Sequence, residues 1–269
     1  MSRLRILVLL LSALPLIAQE SALFPRFSLT GASNRARFDS TVRLDPENIA
    51  NAFGSQVGFE SDLGMPRSKT LTRFGLEWQL ASRHELAATY FTAPRSGFAA
   101  IQREIVFRDQ TYPVQALVTS QFDLKYASAT YTYWARRTAR DGLGITLGAA
   151  TLSVDASVLA QRPDLTLLAT ERANTDVPVA LAGLQGRIAF TPRLLGAASF
   201  SALPRITVSG YRGRARTANA SLEYRASPWL GIGAAYDDFH LDVDSTRADL
   251  RGALSMSIRG PEVFVRLAF

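Results

Sequence analysis

The sequence predicts an all-β chain: a transmembrane, antiparallel, up-and-down β-barrel of about ten strands, with eight or twelve as alternatives. Three observations predict it. Apolar residues recur with period two in segment after segment. Short turns alternate with long hairpin arms. An apolar run at the N-terminus has the layout of an export signal.

Successive strand residues point to opposite faces, so alternation builds one apolar and one polar wall. Phe74, Leu76, Trp78 and Leu80 share a face opposite Arg73, Glu77 and Gln79. Leu143, Ile145, Leu147 and Ala149 alternate with Gly144, Thr146 and Gly148; Leu184, Ile188 and Phe190 with Gln185 and Arg187; Leu222 and Tyr224 with Ser221 and Glu223. No segment sustains a helical period. In a membrane barrel the apolar wall meets lipid and the polar wall lines the lumen.

Short turns fall at residues 82–84, 137–142, 191–193 and 227–228, and hairpin arms meet near residues 46–54, 108–112, 161–176, 209–212 and 245–247. Four short turns plus both termini at one end give five hairpins, hence about ten strands, centred on residues 26–36, 69–82, 84–96, 120–136, 142–157, 177–190, 194–207, 213–226, 229–243 and 250–269. Residues 37–66 have room for one more hairpin. Trp78, Trp134 and Trp229 all lie near short turns, which predicts that they belong to the aromatic girdle at one membrane boundary.

Arg3 and Arg5, the apolar stretch Ile6–Ile17 and the small Ala18 make residues 1–18 a cleaved signal peptide, with an N-terminal anchor helix as the alternative. Residues 19–269 then form a single barrel domain. The chain has no cysteine, which excludes disulfides, thiolate metal sites and a cysteine nucleophile. Its net charge of +7 is almost entirely arginine, suiting phosphate-bearing lipid better than nucleic acid, for which no module is present. No metal-ligand spacing, phosphate loop or nucleophile elbow appears, and no cofactor is expected.

Three constellations merit attention. Arg73, Glu77, Arg187, Glu223, Glu262 and Arg266 fall on the polar wall; in a small barrel such charges pair, making a lumenal plug, or alternatively a narrow selectivity lining. Arg205, Arg212, Arg214 and Arg216 crowd an outer hairpin and offer rigid forks for lipopolysaccharide phosphates. The bland reading pairs them across strands: with Leu222 opposite Ile232, Arg216 faces Asp238 and Arg212 faces Asp242. Finally, Asp238 and His240 share a strand face, so the carboxylate is placed to orient the imidazole as a general base.

The last ten residues, Gly260–Phe269, resemble the terminal strand of Gram-negative outer-membrane proteins, which end in Phe behind alternating apolar residues; here Val263, Val265, Leu267 and Phe269 form that row. The resemblance implies that these four carry the signal read by the barrel-assembly machinery, and that the chain is a monomer in the bacterial outer membrane, in contact with its lipid and lipopolysaccharide. Glu60-Ser61-Asp62-Leu63-Gly64, Ser82-Arg83-His84-Glu85-Leu86, Tyr131-Thr132-Tyr133 and Gly260-Pro261 are similar to stretches of a group of moderate-sized barrels with no assigned activity. Asp-x-His on ten strands also resembles the omptins, outer-membrane proteases. That family needs a second acidic pair, for which residues 90–110 offer only Glu104 and Asp109. Lipid A deacylases use a His near a Ser and an acid, and no Ser lies two residues after His240.

The sequence therefore predicts a non-enzymatic barrel, either a narrow pore or an envelope component that contacts lipopolysaccharide. The alternatives are an outer-membrane hydrolase using Asp238 and His240, and a soluble periplasmic β-protein.

Overall fold

A computed structural model describes residues 23–46, 54–107, 110–162, 164, 166–208, 210–247 and 250–269. The signal-peptide expectation for residues 1–18 lies outside the described residues. Among those described, the strands are β1 (Phe27–Leu44), β2 (Val57–Gly58), β3 (Ser68–Ala81), β4 (His84–Ala100), β5 (Ile105–Phe107), β6 (Gln110–Tyr112), β7 (Leu117–Arg137), β8 (Asp141–Gln161), β9 (Leu167–Ala189), β10 (Leu194–Val208), β11 (Tyr211–Arg225), β12 (Leu230–Arg247) and β13 (Leu250–Ala268).

Ten of these, β1, β3, β4 and β7–β13, pair antiparallel in chain order, and β13 returns to β1 to close the barrel. Closure runs from Ser28↔Ala268 to Leu44↔Gly252, and the C-terminal Phe269 exchanges backbone hydrogen bonds with Phe27 at 2.8 and 3.0 Å. A closed sheet leaves no strand edge to aggregate, which is what allows strands to cross a membrane. Among the described residues, the segment between β1 and β3 contributes β2 and no further hairpin, and the closed barrel has ten strands.

We call the end with the termini and the turns after β3, β7, β9 and β11 the base, and the other end the mouth. Two mouth connections, β10–β11 and β12–β13, span only two residues each, so the long arms expected there are not long loops.

Around the base half, the predicted apolar wall points outward. Phe74, Leu143, Ile145, Leu147, Leu184, Leu222 and Val263 are each more than half exposed, and Trp78 and Trp229 lie in the same belt. The Val263, Val265, Leu267 and Phe269 row belongs to it, although Leu267 is only partly exposed. In the mouth half the pattern inverts. Phe38, Phe122, Leu124, Leu152, Leu241 and Met256 point inward and are buried, while Lys125, Asp123 and Asp155 of the same strands face out. The expectation of a polar interior thus holds only in the base half. Above the belt the outer wall meets water, so charge belongs outside and the apolar residues turn in. Burying each large one stabilises by about 1.5–3 kcal/mol.

Trp134 corrects the girdle prediction. It is fully buried inside the base, edge-on to Phe24 with ring centroids 4.9 Å apart and planes at 77°. On β7 the odd residues Tyr131 and Tyr133 face outward, so the next residue faces in. Nearness to a turn fixed the height of this tryptophan but not its face.

Candidate functional site

The lumen is filled in layers. At the base, Leu23, Phe24, Trp134 and Leu195 form an apolar stopper. Gly142 is required here, because a Cβ at that position runs into the Phe24 ring. Above the stopper lies a layer of three carboxylates and three guanidiniums. Arg187 meets Glu85 at 2.7 Å and Glu77 at 3.3 Å; Arg266 meets Glu77 at 3.0 Å and Glu223 at 3.1 Å; Arg225 meets Glu223 at 3.5 Å. Formal charges cancel, which buried ions require. Ser28 Oγ donates to Glu77 at 3.2 Å, Trp134 Nε1 donates to Glu85 at 3.3 Å, and the Arg187 guanidinium lies 4.8 Å from the Trp134 ring centre.

A second cluster sits further up. Asp237 accepts from Arg73 at 3.0 Å, from Asn34 at 3.1 Å and from Asn219 at 2.8 Å, and Glu262 lies 3.3 Å from Arg73. All six residues expected on the polar wall, Arg73, Glu77, Arg187, Glu223, Glu262 and Arg266, therefore point inward and pair. Sequence reasoning missed Glu85, Arg225 and Asp237 as their partners. Strand parity holds that information: Glu85 and Leu86 alternate, and Leu86 is on the belt.

Beyond this layer a segment of chain folds into the barrel. Val57–Met65 carries Phe59, Leu63 and Met65 into the apolar core, and Glu60 pairs there with Arg95, whose side chain is fully buried. Glu60 also accepts from the Ser40 backbone at 2.9 Å, and Arg95 donates to Ser40 Oγ at 3.1 Å. The guanidinium lies 4.1 Å from the Phe38 ring centre, 5.3 Å from that of Phe122 and 5.9 Å from that of Phe59. Gly64 turns the segment with a φ of 66°, a left-handed conformation that costs other residues about 1–2 kcal/mol. The Glu60–Gly64 stretch is thus an inward fold rather than part of a hairpin.

Above this segment opens an apolar cavity of about 410 Å³. Val42, Phe59, Val118, Val154, Val243 and Leu254 are among its walls, and Arg172 is the one charged residue in its lining among the described residues. That volume falls within the ~300–1,000 Å³ of small-molecule sites, which are mostly apolar with a few placed polar groups.

The remaining candidates lie on the outside. Asp238, His240 and Asp242 face outward on β12, since Leu241 and the intervening odd residues face in. His240 Nε2 lies 3.1 Å from Asp242 Oδ2, so its carboxylate partner is Asp242 and not the predicted Asp238. Asp242 also accepts from Ser255 Oγ at 2.7 Å and from Arg214 Nε at 2.6 Å. The predicted register is two residues off: Tyr224, not Leu222, is opposite Ile232. Arg216 therefore faces His240, Arg214 faces Asp242 and Arg212 faces Asp244, replacing the Arg216–Asp238 and Arg212–Asp242 pairs. The Ser227–Pro228 turn is longer than the pairing assumed, with Arg225 meeting Gly231. Arg212, Arg214 and Arg216 face outward at the mouth; Arg205 lies on β10, and its side chain is outside the described set. Glu104 is exposed between β4 and β5, and Asp109 lies outside the described residues.

No protein-family model matches the chain, and no curated protein does. Solved structures do. The outer-membrane protease OmpT of Escherichia coli aligns with a TM-score of 0.59 and 8% identity, over 90% of this chain and 96% of that one. The translocator domain of the autotransporter NalP from Neisseria meningitidis aligns at 0.44 and 12% identity, over 98% and 94%. The outer membrane protein OprG of Pseudomonas aeruginosa aligns at 0.37 and 10%, over 92% and 97%. The fold is that of an outer-membrane β-barrel. At 8% identity the OmpT likeness carries the fold and not the chemistry.

Proposed function

We propose that this chain is an integral barrel of the Gram-negative outer membrane, exported on residues 1–18, with its base toward the periplasm and its mouth outside. It works as a closed binding protein: a barrel blocked at the base that holds a small apolar molecule in its mouth. The apolar cavity of about 410 Å³ carries this reading. A water-filled pore needs a wetted lumen, whereas this one holds an apolar stopper, a neutral ion-pair layer and an apolar core. The hydrolase reading has less support, because the His240–Asp242 pair stands on the outer wall without a lining cleft among the described residues.

Contact with lipopolysaccharide is a second role of the same molecule. It is favoured by the outward placement of Arg212, Arg214 and Arg216, two to six residues above Ala218 at the belt's edge. The arginine fork suits phosphate.

The test is titration of the refolded chain in lipid nanodiscs with the apolar fluorophore N-phenyl-1-naphthylamine. Saturable enhancement above empty discs, lowered by Ala156→Trp in the cavity wall, is expected. Enhancement equal to empty discs overturns the binding role.

A further inference from the structure

The barrel wall is not stitched to the same height all round. β8 and β9 pair from Asp141↔Ile188 up to Gln161↔Leu167, the full length of β8. On its other side β9 pairs with β10 only from Leu195↔Ala189 to Ala202↔Ala182. Above that rung both strands continue, β9 to Leu167 and β10 to Val208, where β10 still pairs with β11. The strands part, leaving a notch in the wall.

The sequence contains a cause. Pro178 lies four residues past the last rung on β9, and Pro204 two residues past it on β10. Proline has no N–H to give a ladder and belongs on strand edges. β10 is also irregular at this point, with its register against β11 shifting between Leu203 and Ile206.

One other seam ends early, between β3 and β4, where pairing stops at Arg73↔Phe91. That one is covered. Lys69 Nζ donates to the Pro94 carbonyl, and a Cβ on Gly97 would collide with the backbone of Leu63–Met65, so the inward segment packs directly on β4. Above Ala202↔Ala182 no backbone pairing joins β9 to β10 among the described residues.

The notch meets the cavity. Arg172, Asn174, Thr175 and Val177 of β9 all line it, and all lie above the last β9–β10 rung at Ala182. The edge toward β8 is paired there, so the open edge is the one toward β10. The last rung sits at the top of the apolar belt, since Phe200, two residues below Ala202, is the last large outward apolar side chain described on β10. From that rung to Val208 the notch climbs six residues, roughly 20 Å along the strand. It therefore leads from the membrane surface to the cavity.

We infer that the β9–β10 notch is a lateral port through which a single-chain amphiphile with an anionic head passes between the membrane surface and the cavity, its head held by Arg172. The apolar walls take the chain. The head is assigned by charge: Arg172 is the lining's one charge among the described residues, while Asn174 beside it already donates to Asp155 at 3.0 Å. This rests on the binding reading above.

The chain has no cysteine, so single thiols can be placed cleanly. The probes are the fluorescent fatty acid cis-parinarate and its methyl ester, offered in phosphatidylcholine vesicles to the full mature chain in nanodiscs. The acid is expected to bind about tenfold tighter than the ester, the worth of one charge-assisted contact, and Arg172→Gln is expected to erase that preference while leaving ester binding intact. Equal binding of acid and ester by the unaltered chain overturns the anionic head. Asp176→Cys on the open edge of β9, carrying a bulky maleimide, is expected to load about tenfold more slowly at unchanged final occupancy, whereas a maleimide at Asp123→Cys, on a strand paired on both sides, loads normally. Equal loading rates for both labelled proteins overturn the port. If neither acid nor ester binds the unlabelled chain, the binding function itself fails, a result distinct from the loss of the port alone.

Discussion

Arg187 and Glu85 stand 102 residues apart in sequence and meet at 2.7 Å in the barrel interior. Each side chain is about 4% exposed, and the same guanidinium reaches Glu77 from its other side. This contact ties β9 to β4 across the lumen and anchors the neutral ion-pair layer. Removing one member of such a pair leaves an uncompensated buried charge. Arg187→Ala is expected to cost about 3–5 kcal/mol. Arg187→Met combined with Glu85→Gln, which removes both charges, is expected to cost clearly less. Urea unfolding in lipid vesicles measures both. Equal losses would mean that the pair is not the link described.

Trp134 gives a second prediction, independent of energetics. In the single-tryptophan variant Trp78→Phe/Trp229→Phe, the remaining Trp134 is expected to resist quenching by brominated lipids. The variants that keep only Trp78 or only Trp229 are expected to be quenched. Strong quenching of Trp134 would return it to the outer girdle.

The inward segment is held by Glu60 and turned by Gly64. Glu60→Ala leaves Arg95 charged and unpaired among phenylalanine rings, at an expected cost of about 3–5 kcal/mol. Gly64→Ala is expected to cost more than the ~1–2 kcal/mol of its left-handed backbone, because the new Cβ would lie 2.5 Å from the Phe98 carbonyl oxygen. Limited proteolysis of intact cells or refolded protein should show new cleavage within residues 57–65 in Glu60→Ala. Unchanged resistance would show that the segment is held by its apolar contacts alone.

The outer wall is expected to be far more tolerant. Arg214 and Asp242 pair at 2.6 Å, but the arginine side chain is 59% exposed. Arg214→Ala should cost no more than about 1 kcal/mol. His240→Ala is expected to leave folding and ligand binding unchanged, and an esterase or peptidase activity lost on that substitution would revive the hydrolase reading.

How far the sequence reveals this molecule depends on the range of the physics involved. Strand positions are local, because alternation and turn chemistry are written in neighbouring residues, and all ten predicted strands are present. Inward placement of Arg73, Glu77, Arg187, Glu223, Glu262 and Arg266 follows from the same parity. The failures come where a second strand or a second solvent decides. Tyr224 meeting Ile232 depends on how many residues the turn absorbs, which shifts every arginine–aspartate pair above it by two. The interior of the mouth half turns apolar because the wall leaves the membrane there, a change the alternating pattern cannot locate by itself. The inward fold of Val57–Met65 rests on contacts with β4, and the notch beside β9 on a rung that fails to form. Pro178 and Pro204 were visible in the sequence, but their meaning needed the register.

The central claim is that this barrel is closed and holds its ligand in the mouth rather than conducting through the lumen. Single-channel recording of the refolded mature chain in a planar bilayer tests it most directly, with heat-modifiable gel migration showing that the sample has folded. A folded, silent barrel is the predicted result. Discrete, reproducible conductance steps would contradict the account, placing an open path through the layer that Arg187 and Glu85 close.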